Sequence, residues 1–440
     1  MYSYRHIWNV SYPIIIGLLA QNIINVTDTA FLGHVGEVEL GASAMGGIYY
    51  ICLFTIFFGF STGAQIIISR RNGEKNYSAI GPVMIQGLIF LLLLALILVM
   101  LSYFFTGDVM RLMISSEEIW EATMTFLKWR MLGFFFDIFN VMFRAFYVGI
   151  IKTKILTVAP MIMAVANIFL DYILIFGKFG FPEMGIEGAA IASIIATFIS
   201  ALFYIVYSFF TVDGRKYGFT RIKSFDFQLL GHVLKISIYT MFQYFVSMGS
   251  YFLFFVAIER QGHHALAIAN ITRSIFIFLL MPLNALATTT NTLVSNMIGE
   301  GKIKEVMSLV RRITRLSFFI LAGCVLATCL FAETILSLYT HDMSLISGSM
   351  LSVYILAGAL IAGSFATPYF NCISGTGNTR AAMILELIVL LIYTIHIYLT
   401  AVYFKLPVHL CLTVETVYFI GLFIGSVLYL RLADWKKKKI

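Results

Sequence analysis

Twelve long apolar stretches constrain the fold of this chain more than any other feature. Each is long enough to cross about 30 Å of hydrocarbon as a helix, whose backbone groups bond internally. Of the 440 residues, 60% are hydrophobic and 12% charged, whereas soluble domains have apolar and charged shares near half and a quarter. The sequence therefore predicts an all-α integral membrane protein with spans near residues 7–32, 43–69, 82–106, 120–150, 155–177, 186–212, 232–259, 265–298, 308–332, 346–373, 381–404 and 409–432.

Lysine and arginine are concentrated in alternate connections between these spans. Because basic loops stay on the cytoplasmic side, this distribution predicts a cell-membrane protein with both termini in the cytoplasm and an outward-running first span. The net charge of +8 follows from this topology, so we expect anionic lipid rather than nucleic acid as the charged partner. The basic segments contain Arg70, Arg71 and Lys75; Lys152 and Lys154; Arg215, Lys216, Arg221 and Lys223; Lys302, Lys304, Arg311, Arg312 and Arg315; and the tail at 436–439.

The second half of the sequence repeats landmarks of the first half in the same order and at equivalent span ends. Internal repeats flank central sites in many secondary transporters. The repeat predicts two parallel six-helix lobes related by a pseudo-twofold axis: an N-lobe at residues 1–212, a cytoplasmic linker at 213–231 and a C-lobe at 232–440. The matched landmarks are Gly36 with Gly262, Leu40 with Leu266, Ser69, Gly73 and Glu74 with Ser295, Gly299 and Glu300, and Gly149, Thr153 and Lys154 with Gly375, Thr379 and Arg380.

Few ionisable residues lie inside the predicted spans, where each costs about 2.5–3.5 kcal/mol at a helix centre. The strongest candidates are Asp28 in the first span and Asp171 in the fifth, which fall at similar heights near the outer ends. Asn167 precedes Asp171 by one turn, and Gln21 and Asn25 share a face with Asp28. Two neighbouring carboxylates in a low dielectric favour holding a proton, whereas carboxylate and amide oxygens together suit sodium. The sequence leaves both ions open, together with a purely structural role in joining helices.

Other polar side chains inside the spans are candidates for a cavity or substrate site, or for bonds between helices. Asp137, Asn140 and Arg144 share one face of the fourth span, and we expect Arg144 to reach back toward Asp137. Gln243 lies in the seventh span. Arg273, in the eighth span, is expected either to repel cationic cargo or to pair with an acid.

The last two spans contain three further candidates among their ionisable residues. Glu386 is near the cytoplasmic end of the eleventh span, and His396 and Glu415 fall in the outer halves of the eleventh and twelfth. We expect these groups to snorkel to the interface or to satisfy one another. A His396–Glu415 pair that titrates near neutrality is the alternative.

Five segments of the chain resemble the multidrug and toxic compound extrusion (MATE) transporters, and the resemblance covers essentially the whole sequence. It implies a V-shaped bundle of two six-helix lobes that exports organic cations or other amphipathic compounds by proton or sodium antiport. It also implies that Asp28, Asn167, Asp171 and Ser193 correspond to the family's cation site in the N-lobe. Because the seventh and tenth spans lack a central carboxylate, the chain resembles the DNA-damage-inducible (DinF-like) branch. The segments are NVTDTAFLGHVG, SRRNGEKN, FRAFYVGIIKTK, NIFLDY and GIEGAAIAS.

The function expected from these features is secondary active antiport by a monomer, in which a cation bound at Asp28 and Asp171 lowers the affinity for substrate. The alternative is a flippase for lipids or lipid-linked oligosaccharides, which has the same two-lobe architecture and needs a cationic cleft. The sequence contains no HExxH or GxSxG motif and no Cys–His metal pattern. We therefore expect no enzyme activity, no cofactor and no resident metal, apart from the coupling proton or a sodium ion at Asp28, Asn167 and Asp171.

Overall fold

A computed structural model of the chain describes residues 2–220 and 225–437. Within these residues, twelve helices are long and apolar enough to cross a membrane, and no β-strand occurs. The all-helical, twelve-span fold class is therefore confirmed. Arg221 and Lys223 of the predicted linker, and Lys438 and Lys439 of the basic tail, lie outside the described residues.

The spanning helices follow one another with short connections. In the first half of the chain they are α1 (Tyr4–Val35), α2 (Glu37–Gly73), α3 (Tyr77–Met113), α4 (Glu117–Gly149), α5 (Ile155–Phe176) and α6 (Gly185–Thr211). In the second half they are α7 (Phe227–Glu259), α8 (His263–Gly299), α9 (Ile303–Leu330), α10 (Met343–Gly375), α11 (Thr379–Tyr403) and α12 (Val408–Leu432).

Several helices contain local departures from α geometry or an internal proline. A 3₁₀ turn at Met131–Gly133 interrupts α4, and a π-helical turn at Tyr398–Tyr403 closes α11. Proline lacks the N–H that continues the helical ladder, but neighbouring helices and local adjustments satisfy the freed carbonyls in membrane proteins. The prolines inside helices are Pro13 in α1, Pro160 in α5, Pro282 in α8 and Pro368 in α10.

Spatial contacts divide the chain into two compact units, which we describe separately. The first unit comprises Ile16–Asn72 and Asn76–Met241, and the second comprises Met1–Ile15, Gly73–Lys75 and Phe242–Ile440. Helix α1 therefore contributes its opening turns to the second unit and its remainder to the first, changing unit just after Pro13. The lobe boundaries predicted at residues 212 and 232 stay a prediction.

Glycines allow two helices of the first unit to pack directly on the α5 backbone. A Cβ atom at Gly17 of α1 would lie 2.6 Å from the carbonyl oxygen of Leu156, and a Cβ at Gly188 of α6 would lie 2.7 Å from the carbonyl group of Leu174. Small residues permit such close approach between membrane helices. Any side chain at either position pushes its helix away from α5.

The contact at Gly17 also sets the register of α1 on α5. Counted from the Gly17–Leu156 contact, Asp28 on α1 and Asn167 on α5 lie the same number of residues further along their helices. Asp28 interacts with Asp171, which lies one turn beyond Asn167 on α5. Positions increase together along both helices, so the two helices run in the same direction. At 1.5 Å per residue, the Gly17 contact lies about 16 Å along the helices from the level where the acids meet.

We predict that Gly17→Ala destabilises the protein. Overpacking against a backbone carbonyl costs about 1–3 kcal/mol, partly offset by the roughly 1 kcal/mol by which alanine exceeds glycine in helix propensity. Gly47→Ala in α2 is the matched control, because a Cβ there meets nothing within 4 Å. Thermal unfolding in detergent should give a lower Tm for Gly17→Ala than for Gly47→Ala. Equal values would mean that α1 is not held against α5 at Gly17.

In the second unit, the first residues of the chain are anchored beside the α8–α9 connection. The Tyr2 hydroxyl donates a hydrogen bond of 2.8 Å to Glu300, and Arg312 Nη1 donates one of 3.2 Å to the Tyr2 carbonyl. Lys302 Nζ lies 2.7 Å from Glu300. Partial burial opposes the charge of Glu300, but the hydrogen bonds from Lys302 and Tyr2 outweigh it and hold the pKa of Glu300 below its ordinary value.

A carboxylate whose folded-state pKa is lowered adds stability that is present above its unfolded pKa and lost as the pH falls through the folded value. Glu300→Gln should therefore lower Tm at neutral pH, and its difference from the parent should vanish under acid conditions below the ordinary glutamate range. Melting curves across pH measure this, with the exposed Glu333→Gln as control. A difference that does not change with pH would show that the charge of Glu300 does not hold this anchor.

Candidate functional site

Three helices of the first unit bring together the four residues predicted to bind the coupling cation. Asp28 comes from α1, Asn167 and Asp171 from α5, and Ser193 from α6. Asn167 and Asp171 are completely buried, Ser193 is almost so, and Asp28 is half-buried. The Asn167 amide Nδ2 lies 3.5 Å from Ser193 Oγ, and the carboxyl groups of Asp28 and Asp171 face each other directly.

The oxygen atoms of this cluster lack donors. Neither oxygen of Asp171 has a hydrogen-bond partner among the described residues, and the same is true of Asp28 Oδ1 and Asn167 Oδ1. Two ionised carboxylates in contact have only acceptor atoms, so neither can donate a hydrogen bond to the other. Buried acceptors without a donor reduce the stability of the fold. A cation held between them, whether a proton or a metal ion, supplies what both acids lack.

Two residues predicted to share the Asp28 face are not brought into this cluster. Gln21 and Asn25 are exposed on α1, although both precede Asp28 at helical spacing. The backbone carbonyl of Asn25 accepts a hydrogen bond of 2.8 Å from Thr29 on its own helix. Their role in binding substrate stays a prediction.

Asp137 lies in a second polar cluster of the first unit, with partners that sequence reasoning missed. The Tyr50 hydroxyl of α2 donates to the Asp137 carboxylate and accepts a hydrogen bond of 3.0 Å from Arg130 Nη1. The Arg130 guanidinium also lies 3.8 Å from the centroid of the Tyr50 ring. Arg130 thus acts on Asp137 through Tyr50, whereas the Arg144 guanidinium lies 4.9 Å from the ring centroid of Phe58.

Asn140, the third member of the predicted α4 face, joins α4 to α6. Its Nδ2 donates a hydrogen bond of 3.1 Å to the Thr197 carbonyl, and its Oδ1 accepts one of 2.8 Å from Ser200. Both amide groups are occupied, which favours the structural interpretation for this residue.

In the second unit, Arg273 is the partner of an acid. Its Nη2 lies 2.7 Å from Glu415 Oε1 and donates a hydrogen bond of 3.0 Å to the Tyr393 hydroxyl, which in turn donates to Glu415. Both charged side chains are more than nine-tenths buried, and Arg273 also lies 4.1 Å from the Phe254 ring centroid. Breaking such a buried pair leaves an uncompensated charge and costs about 3–5 kcal/mol.

The structure contradicts the alternative in which His396 pairs with Glu415. His396 Nε2 lies 3.0 Å from Thr413 Oγ1, while Glu415 is occupied by Arg273. Snorkelling is also wrong for Glu386, which is 5% exposed and accepts hydrogen bonds from Gln243, Ser247 and Tyr418. The positions of these acids near span ends suggested exposure, but side chains from other helices surround them and exclude water.

We predict that Tyr50→Phe destabilises the protein, because it removes the hydroxyl that satisfies Asp137 and leaves a donor-poor carboxylate in the interior. The expected cost is about 1–3 kcal/mol. Thermal melting should show a smaller effect of Tyr50→Phe when Asp137 is already asparagine, as expected for coupled residues. The exposed Tyr103→Phe serves as control, and additive effects of the two substitutions would contradict the coupling.

Twelve helices that are long and apolar enough to cross a membrane, with interacting acids buried among them, define a multi-pass membrane protein. The family model described as MatE matches residues 13–173 and again residues 240–399, and the chain belongs to this family. Because one model matches each half, the match also confirms the internal repeat. Membership of a transporter family further confirms that the chain is not an enzyme, while the DinF-like branch stays a prediction.

Similar proteins include bacterial relatives named as drug-resistance proteins. The "Probable multidrug resistance protein NorM" of Thermotoga maritima is 26% identical over 374 residues, covering 84% of this chain and 79% of the relative. The "Probable multidrug resistance protein YoeA" of Bacillus subtilis is 24% identical over 344 residues, covering 76% of this chain and 74% of the relative.

Solved structures of similar fold extend over nearly the whole chain. A MATE protein in complex with MaD3S superposes with a TM-score of 0.89 and 19% identity, covering 99% of this chain and 97% of the other. The outward-facing conformation of a multidrug resistance MATE family transporter of the MOP superfamily gives a TM-score of 0.88 at 19% identity, with the same coverage. At this identity the likeness establishes the fold.

Proposed function

We propose that this chain is a secondary active antiporter that exports organic cations or other amphipathic compounds from the cell, coupled to inward movement of protons or sodium ions through Asp28 and Asp171. The observation that carries the proposal is the contact between two acids whose buried oxygens lack donors. The names of the relatives as multidrug resistance proteins support the substrate class. The basic loops support a cell-membrane location with both termini in the cytoplasm.

Coupling follows from the cost of leaving the acid pair uncompensated. With the cation bound, the oxygens of Asp28 and Asp171 are satisfied and the helices carrying them close together. Without it, the two charges repel, and a cationic substrate gains a site that the coupling ion had neutralised. Ion and substrate therefore exclude each other, and the ion can shift the equilibrium between the two states by no more than the difference in its binding free energy for them.

A proton and a sodium ion place different demands on the site. A proton needs only two acceptors, and one shared between Asp28 and Asp171 turns a repulsive contact into a hydrogen bond. Sodium is a hard cation and takes several oxygen ligands, for which Asn167 Oδ1 and Ser193 Oγ are at hand beside the acids.

The names of the relatives favour drug export over lipid flipping. A flippase of phosphate-linked lipids needs free cations in its spans. Arg273, one of the two arginines on which that alternative depended, is buried against Glu415 and is not available as a free charge.

We predict that Asp28→Asn and Asp171→Asn each abolish ion-driven efflux. Either substitution keeps the side chain's size but removes the charge that the ion neutralises. The measurement is efflux of a fluorescent organic cation from proteoliposomes, driven separately by a pH gradient and a sodium gradient. Whichever gradient drives the parent protein identifies the ion, and the exposed Asp108→Asn is the control that should transport like the parent.

A second measurement on the same variants is the binding affinity for the substrate. In the parent protein it should change roughly 5- to 150-fold between low and high concentrations of the coupling ion, the range of typical coupling free energies. In both variants the affinity should be independent of the ion. Unchanged transport and unchanged ion dependence in both would remove the acid pair from the mechanism.

A further inference from the structure

The second unit contains another buried acid cluster, and the mechanism proposed above assigns it no role. Glu386 of α11 accepts hydrogen bonds from three uncharged groups: Gln243 Nε2 at 2.5 Å, Ser247 Oγ at 2.6 Å and Tyr418 Oη at 2.9 Å. Gln243 and Ser247 lie one turn apart on α7, and Tyr418 lies on α12. Glu386 makes no ion pair with any residue that the structure describes.

The charged groups that contact this cluster through tyrosine side chains form an ion pair with each other. On α12, Tyr418 touches Glu386, and its ring centroid lies 6.1 Å from that of Tyr393 on α11. The Tyr393 hydroxyl donates a hydrogen bond to Glu415. Glu415 forms an ion pair with Arg273 of α8, so its charge is compensated. The helix α10, which packs against α11 and α12, contains no Asp, Glu, Lys or Arg. Glu386 is therefore an isolated acid that only neutral dipoles stabilise.

One atom of the cluster lacks a partner. The side-chain oxygen of Gln243 has no hydrogen bond among the described residues, although the residue is only 8% exposed. A primary amide carries a donor at one end and an acceptor at the other. Rotation of the Gln243 amide exchanges these ends, so that the carbonyl faces Glu386 and accepts a hydrogen bond from its protonated carboxyl.

The cluster thus satisfies both forms of the acid with one side-chain rotation. The ionised form takes three donors, as the structure shows, and the protonated form takes the Ser247 and Tyr418 hydroxyls as donors and the Gln243 oxygen as acceptor. Buried polar groups are nearly always paired, and in each form one end of the Gln243 amide is bonded to the Glu386 carboxyl group.

We propose that Glu386, with Gln243, Ser247 and Tyr418, forms a second proton-binding site in this protein, located in the second unit and independent of Asp28 and Asp171. The ligand is a proton taken from water and returned to it, and its binding is accompanied by rotation of the Gln243 amide. The site goes beyond the proposed function, because it adds a titrating carboxyl that exists whether or not the first acid pair couples transport.

Infrared difference spectroscopy of the full chain in detergent tests this proposal without relying on transport. The parent for the measurement is the double variant Asp28→Asn/Asp171→Asn, so that failure of the first site does not affect the result. Spectra recorded at mildly acid minus mildly alkaline pH should contain the carbonyl stretch of a buried protonated carboxylic acid. Adding Glu386→Gln should reduce that band by the contribution of one carboxyl group, while adding the exposed Glu259→Gln should leave it unchanged.

The rotation of Gln243 is tested by Gln243→Leu in the same background. A carbonyl stretch depends on the hydrogen bonds of its carboxyl group, so losing the amide partner should shift the acid band while the band persists. Elution as a single species in size-exclusion chromatography establishes that each variant is folded. If the spectra with and without Glu386→Gln are identical, or if the lost signal is a carboxylate band that responds to sodium rather than to pH, the proton site is wrong.

Discussion

The structure depends above all on the cost of placing charge in hydrocarbon. A carboxylate inside a membrane span is stable only when another group supplies the hydrogen bonds or the opposite charge that water would otherwise supply. The described acids of this chain meet that requirement in three ways. Asp137 and Glu415 have an arginine, through Tyr50 in one case and directly in the other. Glu386 has three neutral donors. Asp28 and Asp171 have chiefly each other, and this is why we propose that a cation from outside the protein binds between them.

The twelve spans and the acid pair were predictable from the sequence because they rest on local patterns. Hydrophobic length identifies a span, and the helical spacing of Asn167 and Asp171 puts both side chains on one face of α5. Because α1 and α5 run in the same direction and the two acids lie at a similar depth in the bilayer, Asp28 is expected beside Asp171. Each of these steps needs only helix geometry and the thickness of the bilayer.

The partners of the remaining acids were not predictable, because each lies on another helix and the sequence does not show which residues of two helices face each other. Tyr50 and Asp137 lie on different spans, and so do Gln243 and Glu386, and nothing in a single sequence marks either pair. Tyrosine is common among these spans and carries no pattern of its own. For Glu415 the sequence suggested histidine as the partner by proximity along the chain, whereas an arginine and a tyrosine hold it in the fold.

A contact with a backbone atom, and not a contact between side chains, sets the position of Asp28 relative to Asp171. Gly17 lies against a carbonyl oxygen of α5, and main-chain atoms do not vary when residues are exchanged during evolution. Lipid-facing positions on both helices are therefore free to drift without moving Asp28 past Asp171. A residue whose side chain is a single hydrogen atom thus sets the position of the acid pair about 16 Å away along the helices, without contacting either acid.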